Sequence, residues 1–139
     1  MPILSHVDEL PRMLSFKPGR MRTLIVSPEL AGTRALLCGR MDYLPGASSP
    51  YHYHVGCEHF FYVVEGRGKV RFEDREVPLE EGTLVFITEG EKHQLLNPYD
   101  RPLKMLEFQI PNRFKTEILE GSPDDLRWKR ADGRTWEQK

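Results

Sequence analysis

His52 and His54 stand two residues apart in the segment His52-Tyr53-His54-Val55-Gly56-Cys57-Glu58-His59. Side chains of an extended chain alternate between its two faces, so both imidazoles leave one face of a single strand. His93 follows in Thr88-Glu89-Gly90-Glu91-Lys92-His93, on what reads as another strand. A pair of imidazoles on one strand, completed by a ligand from elsewhere, suits a divalent transition metal. A lone histidine on a strand is more often surface decoration than a ligand. The grouping carries the weight here, and His6, far away in the amino-terminal segment, is left outside it.

The elements that must position these rings read as β throughout the middle of the chain. Short runs of β-branched and aromatic residues predict strands over 21–26, 33–44 (bent at Gly39), 51–55, 59–65, 69–73, 76–79, 83–87, 92–96 and 103–110. Gly, Pro, Asp and Asn turns separate them, and that spacing means a sandwich or barrel. Residues 1–19 read as an amino-terminal arm, irregular apart from a short helical turn over 8–14, residues 20–111 as the barrel, and residues 112–139 as a carboxy-terminal extension packing on it. Within that extension 114–119 is a last strand. Ser122-Pro123-Asp124-Asp125 is a helix start with a capping serine, and the polar end pins itself through Trp128 and Trp136.

Composition narrows the function classes. A chain of 139 residues is one domain with a core of its own. Lys plus Arg number 20 against 21 Asp plus Glu, so the net charge of −1 leaves no electrostatic footprint for nucleic acid. Two cysteines, Cys38 and Cys57, make no disulfide framework. Cys38 reads as core packing and Cys57 as a half-buried bystander thiol. The amino terminus has no basic region followed by an apolar core, and no apolar run approaches membrane-spanning length. The expectation is a cytoplasmic protein without nucleic-acid or membrane partners.

Gly46, five residues, His52-x-His54, four residues, His59, six residues, Gly66 resembles the first motif of the cupin superfamily. Gly82, five residues, Thr88-x-Gly90, two residues, His93, three residues, Asn97 resembles the second, with Thr88 where that family usually has proline. Fifteen residues separate Gly66 from Gly82, as in the smaller prokaryotic-type members. The resemblance implies an all-β double-stranded β-helix (a jelly-roll barrel) with a short helical or irregular carboxy-terminal tail. It also implies one divalent transition metal (Mn, Fe, Ni, Cu or Zn) held by His52, His54, His93 and a fourth ligand, either His59 or Glu58. A glutamate is usual there. Strand phase counted back from Gly66 favours His59, placing His59, Phe61 and Val63 inside and Glu58, Phe60, Tyr62 and Val64 outside. A bulge at Gly56–Cys57 would reverse that phase. Four imidazoles in place of three and a carboxylate leave the site one positive charge higher, which favours anionic substrates.

Such barrels host many activities, so the site must speak for function. The first expectation is a metal-dependent oxygenase acting on a small organic molecule that chelates the metal, with Glu58 or a nearby tyrosine orienting the ligands. The alternatives are a non-redox isomerase or lyase on a sugar-acid-like substrate, and a non-catalytic barrel that binds or senses a small ligand. Polar candidates for the pocket mouth are Tyr43, Tyr51, Tyr53, Arg40, Glu107 and Gln109. The family resemblance further implies a homodimer, which would cover the aromatic stripe on the outer face of 59–65.

Overall fold

The computed structural model describes residues 2–131. Trp136 and its expected pinning role lie outside the described residues. The alternating runs become twelve strands: β1 (Arg12–Ser15), β2 (Arg20–Val26), β3 (Leu37–Tyr43), β4 (Tyr51–Val55), β5 (Glu58–Glu65), β6 (Gly68–Arg71), β7 (Glu76–Leu79), β8 (Leu84–Ile87), β9 (Gln94–Leu96), β10 (Leu103–Ile110), β11 (Lys115–Glu120) and β12 (Trp128–Arg130). One sheet runs β12-β1-β2-β3-β10-β5-β8. Facing it are β7-β6-β9 and β11-β4, joined by the bridges Ser48↔Leu96 and His52↔His93. All pairings are antiparallel, and the chain is a double-stranded β-helix. Among the described residues no helix is long and apolar enough to cross a membrane.

The core lies between the two layers. Met41, Tyr43, Phe61, Val63, Leu103 and Met105 project from the large sheet against Val70, Leu79 and Leu95 from the other layer, all buried. One row of that core is polar. Glu107 on β10 is paired with Phe61 of β5 on one side and Gly39 of β3 on the other. Gly39 lies within a continuous strand rather than at a bend, and a Cβ there would sit 3.4 Å from the Arg22 Cγ. The missing side chain gives Arg22 of β2 its path across β3 to Glu107.

The two ends of the chain meet. Instead of a helical turn over 8–14, a 3-10 turn covers Val7–Glu9, and β1 then pairs with both β2 and β12. Pro11 and the availability of two neighbouring strands explain the difference, because proline opens a strand more easily than it continues a helical turn. The capping serine at Ser122 is present, but its helix is a single 3-10 turn, Pro123–Leu126, followed by a strand.

Two motif glycines have similar backbones and different surroundings. Gly66 has φ +89°, and a Cβ on it would strike the Pro102 carbonyl oxygen. Gly82 has φ +87° with nothing within 4 Å of the same position. Gly66→Ala should therefore destabilise by more than about 3 kcal/mol, combining strain with a backbone clash. Gly82→Ala should cost about 1 to 2 kcal/mol, the left-handed penalty alone. Urea denaturation of the two variants tests the ranking, and equal midpoints would contradict it.

Candidate metal centre

The alternation of β4 buries His52 and His54 and leaves Val55 exposed. His93 joins them through a two-way backbone bridge, His52 N–H to the His93 carbonyl at 3.0 Å and His93 N–H to the His52 carbonyl at 2.9 Å. Ring centroids are 4.3 Å apart for His52 and His93, 4.9 Å for His52 and His54, and 5.4 Å for His54 and His93. Among the described residues, these three offer donor atoms that all come within 4.8 Å of one another. His59 stands outside that group of three, its ring 4.9 Å from His54 and 5.5 Å from His93. The order of burial along β5 is the phase counted from Gly66: His59, Phe61 and Val63 buried, Glu58, Tyr62 and Val64 exposed, Phe60 half-buried. Glu58 points away from the imidazoles.

Each of the four rings has one nitrogen on an oxygen. Nδ1 of His52 donates to the Pro50 carbonyl at 2.6 Å and Nδ1 of His93 to the Glu91 carbonyl at 2.9 Å. His54 Nδ1 is 2.9 Å from Thr116 Oγ1, and His59 Nε2 donates to Glu107 Oε1 at 2.8 Å. A carbonyl can only accept, so the tautomer of His52 and His93 is fixed with the lone pair on Nε2. The opposite nitrogens of His54, His59 and His93 are buried with no hydrogen-bond partner among the described residues. Buried polar atoms are rarely left so. Imidazoles oriented by oxygen acceptors, with their other nitrogens orphaned, fit a metal of borderline softness.

Protonation agrees with this. Burial above all, and then the neighbouring imidazoles, push His54 down to about 2 and His93 to about 3, and burial takes His52 to about 4. At neutral pH these rings carry lone pairs, with no proton to displace. Glu107 behaves oppositely: burial alone would raise it, but the Arg22 guanidinium, 3.7 Å away, and His59 hold its carboxyl well below the usual carboxylate range. Cys57 and Cys38 are both buried, and desolvation pushes each thiol up to about 11, which leaves them as inert packing.

A cavity of about 120 Å³ opens beside the imidazoles. His52, His54, His59, Tyr43, Glu107 and Gln109 line it from the barrel strands, and Arg20, Arg22, Asp125, Leu126 and Trp128 line it from the sheet's other end. Of the polar candidates for the mouth, Tyr43, Glu107 and Gln109 thus reach the cavity. Arg40 is instead paired with Asp42 on the strand's other face, and Tyr51 lies under the Arg71 guanidinium. Sequence reasoning missed Arg20, Arg22 and Asp125. Asn97 orders a turn, donating to the Tyr43 and Arg101 carbonyls.

Residues 39–108 match the family model of the cupin domain. The chain is a cupin. Its sequence is 30% identical over 96 residues to the tetracenomycin polyketide synthase protein TcmJ of Streptomyces glaucescens, covering 69% of this chain and 64% of that protein. The polyketide cyclase RemF of Streptomyces resistomycificus superposes with a TM-score of 0.77 over 90% of each chain at 22% identity. A predicted oxalate decarboxylase of Thermotoga maritima superposes with a TM-score of 0.70 at 26% identity, over 78% of this chain and 99% of that one. Cupins span many chemistries, and the donor set of this chain bears on which of them it runs.

Proposed function

We propose that this cupin is a metal-dependent enzyme of enolate chemistry, a cyclase, isomerase or lyase acting on a small oxygen-rich carbonyl compound. One observation carries the reading: of four imidazoles with oriented outer nitrogens, His52, His54 and His59 border a small cavity that also holds two guanidinium groups. In this reading His52, His54 and His93 hold one divalent transition metal through Nε2, and His59 is the fourth ligand through Nδ1. When bound, the metal would supply Lewis-acid polarisation of a carbonyl or enolate oxygen. Pro50, Thr116, Glu91 and Glu107 keep the rings aimed. Arg22 is balanced by Glu107, whereas the guanidinium of Arg20 on the cavity wall favours negative charge developing on a substrate oxygen beside it. The proton leaving the carbon beside the carbonyl would pass to the Asp125 carboxylate on the cavity wall, whose Oδ1 has no hydrogen-bond partner among the described residues, and exchange from there with solvent.

A polyketide synthase protein and a polyketide cyclase among the relatives support this class, since closing a polyketide ring proceeds through an enolate. An oxygenase would use the same ligands and differs in needing O₂. The test is turnover under argon: manganese- or zinc-loaded protein, offered small 2- and 3-oxo acids and 1,3-diketones in D₂O, should catalyse metal-dependent deuterium incorporation next to a carbonyl. Turnover that stops without O₂ would instead make it an oxygenase, and ligand-induced stabilisation without turnover would make it a binding barrel.

The chain acts as a homodimer in the cytoplasm, in this proposal, where the buried Cys38 and Cys57 remain thiols. The outer face of β5 and β8 exposes Tyr62 by 43%, Val64 by 50%, Leu84 by 61% and Phe86 by 55%. β8 also ends its sheet, with one hydrogen-bonding edge unpaired by any described strand. An apolar face at an open edge is a surface that a second copy would cover. Sedimentation should give about twice 16.2 kDa, and the Leu84→Glu/Phe86→Glu double variant should sediment as a monomer.

A further inference from the structure

Arg20 is a buried cation without a carboxylate of its own. It is only 6% exposed, and no carboxylate oxygen of a described residue comes within ion-pair distance of it. One Nη donates to the backbone carbonyl of Asp125, a neutral group. Its guanidinium also hydrogen-bonds the Tyr43 hydroxyl and lies 5.8 Å from the Tyr43 ring and 5.2 Å from the Trp128 ring, neutral partners that soften the burial of its charge without neutralising it. The two carboxylates that share the cavity are already compensated. Glu107 pairs with Arg22 and accepts from His59, while Asp125 accepts from the Ser122 N–H at 2.8 Å and lies 3.4 Å from Lys17 Nζ. A desolvated charge left without a counter-charge is costly, and an arginine fork is shaped to take a carboxylate with two parallel hydrogen bonds.

We propose that Arg20 is an anion-binding subsite that takes a carboxylate of the substrate, so that the substrate is a small carboxylic acid carrying a second oxygen function toward the imidazoles. This rests on the cavity being the substrate site, as in the functional reading above, and it narrows that reading to acids. The size agrees: a cavity of about 150 Å³ holds a benzene-sized molecule, and this one is about 120 Å³. A compact acid of a few carbons fits whole. Arg22 adds to the field but is committed to Glu107, so the specific contact belongs to Arg20.

The probes are malonate and its neutral isostere malonamide, titrated calorimetrically into zinc-loaded protein. Wild type should bind malonate at least about tenfold more tightly than malonamide, in line with the strength of charge-assisted hydrogen bonds. Arg20→Gln should lower that ratio by at least about tenfold, leaving only the preference that zinc itself contributes, while zinc content stays at the wild-type level. Arg20→Lys, which keeps the charge but loses the fork, should fall between the two. A wild-type ratio near one overturns the proposal without any variant, and so does a folded Arg20→Gln protein that keeps the wild-type ratio. The outcomes separate from those of the functional reading. Malonate preference without deuterium exchange keeps the subsite and removes the enolate chemistry. Exchange on neutral diketones with no acid preference does the reverse.

Discussion

Purified without added metal, the His93→Ala protein is expected to be nearly metal-free, its affinity lower than wild type by more than about 100-fold, beyond the range for loss of an outer-shell partner. His93 is completely buried, and its Nε2 has no hydrogen-bond partner among the described residues. The same loss is expected for His59→Ala, whereas Glu58→Ala should keep its metal because β5 turns that carboxylate to solvent. Elemental analysis of the three proteins decides between the ligand sets. Metal lost from Glu58→Ala and kept by His59→Ala would overturn the proposed set. A pH signature accompanies the metal-free protein. The imidazoles of His52, His54 and His93 are lowered to about 4, 2 and 3, whereas in the unfolded chain they titrate near 6.5. The unfolded chain therefore binds more protons as the solution is acidified. Stability is full above about pH 6.5 and falls below it, by about 1.4 kcal/mol per pH unit for each group, until that group's folded value is reached. His93→Ala removes one of the three and should show a shallower acid slope in urea melts at pH 4.5 to 6.5.

How much of this centre is legible in the sequence depends on whether strand phase is fixed locally. His52 and His54 share a face because they are two apart, and His59 is separated from Glu58 by the alternation of β5, which holds from Glu58 to Val64 although its register with β10 shifts between Lys104 and Met105. Glu107 is harder. The phase Leu103, Met105, Glu107, Gln109 sets a carboxylate among apolar residues, a visible signal. Which side that phase faces is set by pairing with β3 and β5, whose partners lie far along the chain. Arg20 and Asp125 are beyond local reading altogether. They meet because β1 binds both β2 and β12, and nothing in the periodicity of either segment announces that pairing. Lone arginines at a strand start look like solvated charge. The barrel's middle is thus written in local alternation, and the cavity's far wall in contacts between the chain ends.

Replacing Glu107 by glutamine should cut metal affinity by about 10- to 100-fold, the usual consequence of losing an outer-shell carboxylate, and should also destabilise the fold by about 3 to 5 kcal/mol. The two effects have different origins. The glutamine oxygen can still accept from His59 Nε2, so the ring keeps its aim, but the ligand loses the added basicity that a carboxylate partner gives it. The stability loss comes from Arg22. Its side chain is 13% exposed, it faces the Glu107 carboxylate at 3.7 Å, and it also touches the Met41 sulfur and the Trp128 ring. Without Glu107, no other carboxylate of a described residue lies within ion-pair distance of it. A double variant separates the two. Arg22→Met/Glu107→Gln removes the stranded cation and should regain most of the lost stability, because an apolar side chain of similar length can replace a buried ion pair at little cost. It should regain none of the metal affinity. Denaturation midpoints and competitive metal titration on wild type, both single variants and the double variant complete the cycle. If affinity returned together with stability, Glu107 would act on the metal only by holding the barrel together. If affinity stays low in the restored fold, the carboxylate tunes the proposed ligand His59 directly, through their 2.8 Å hydrogen bond.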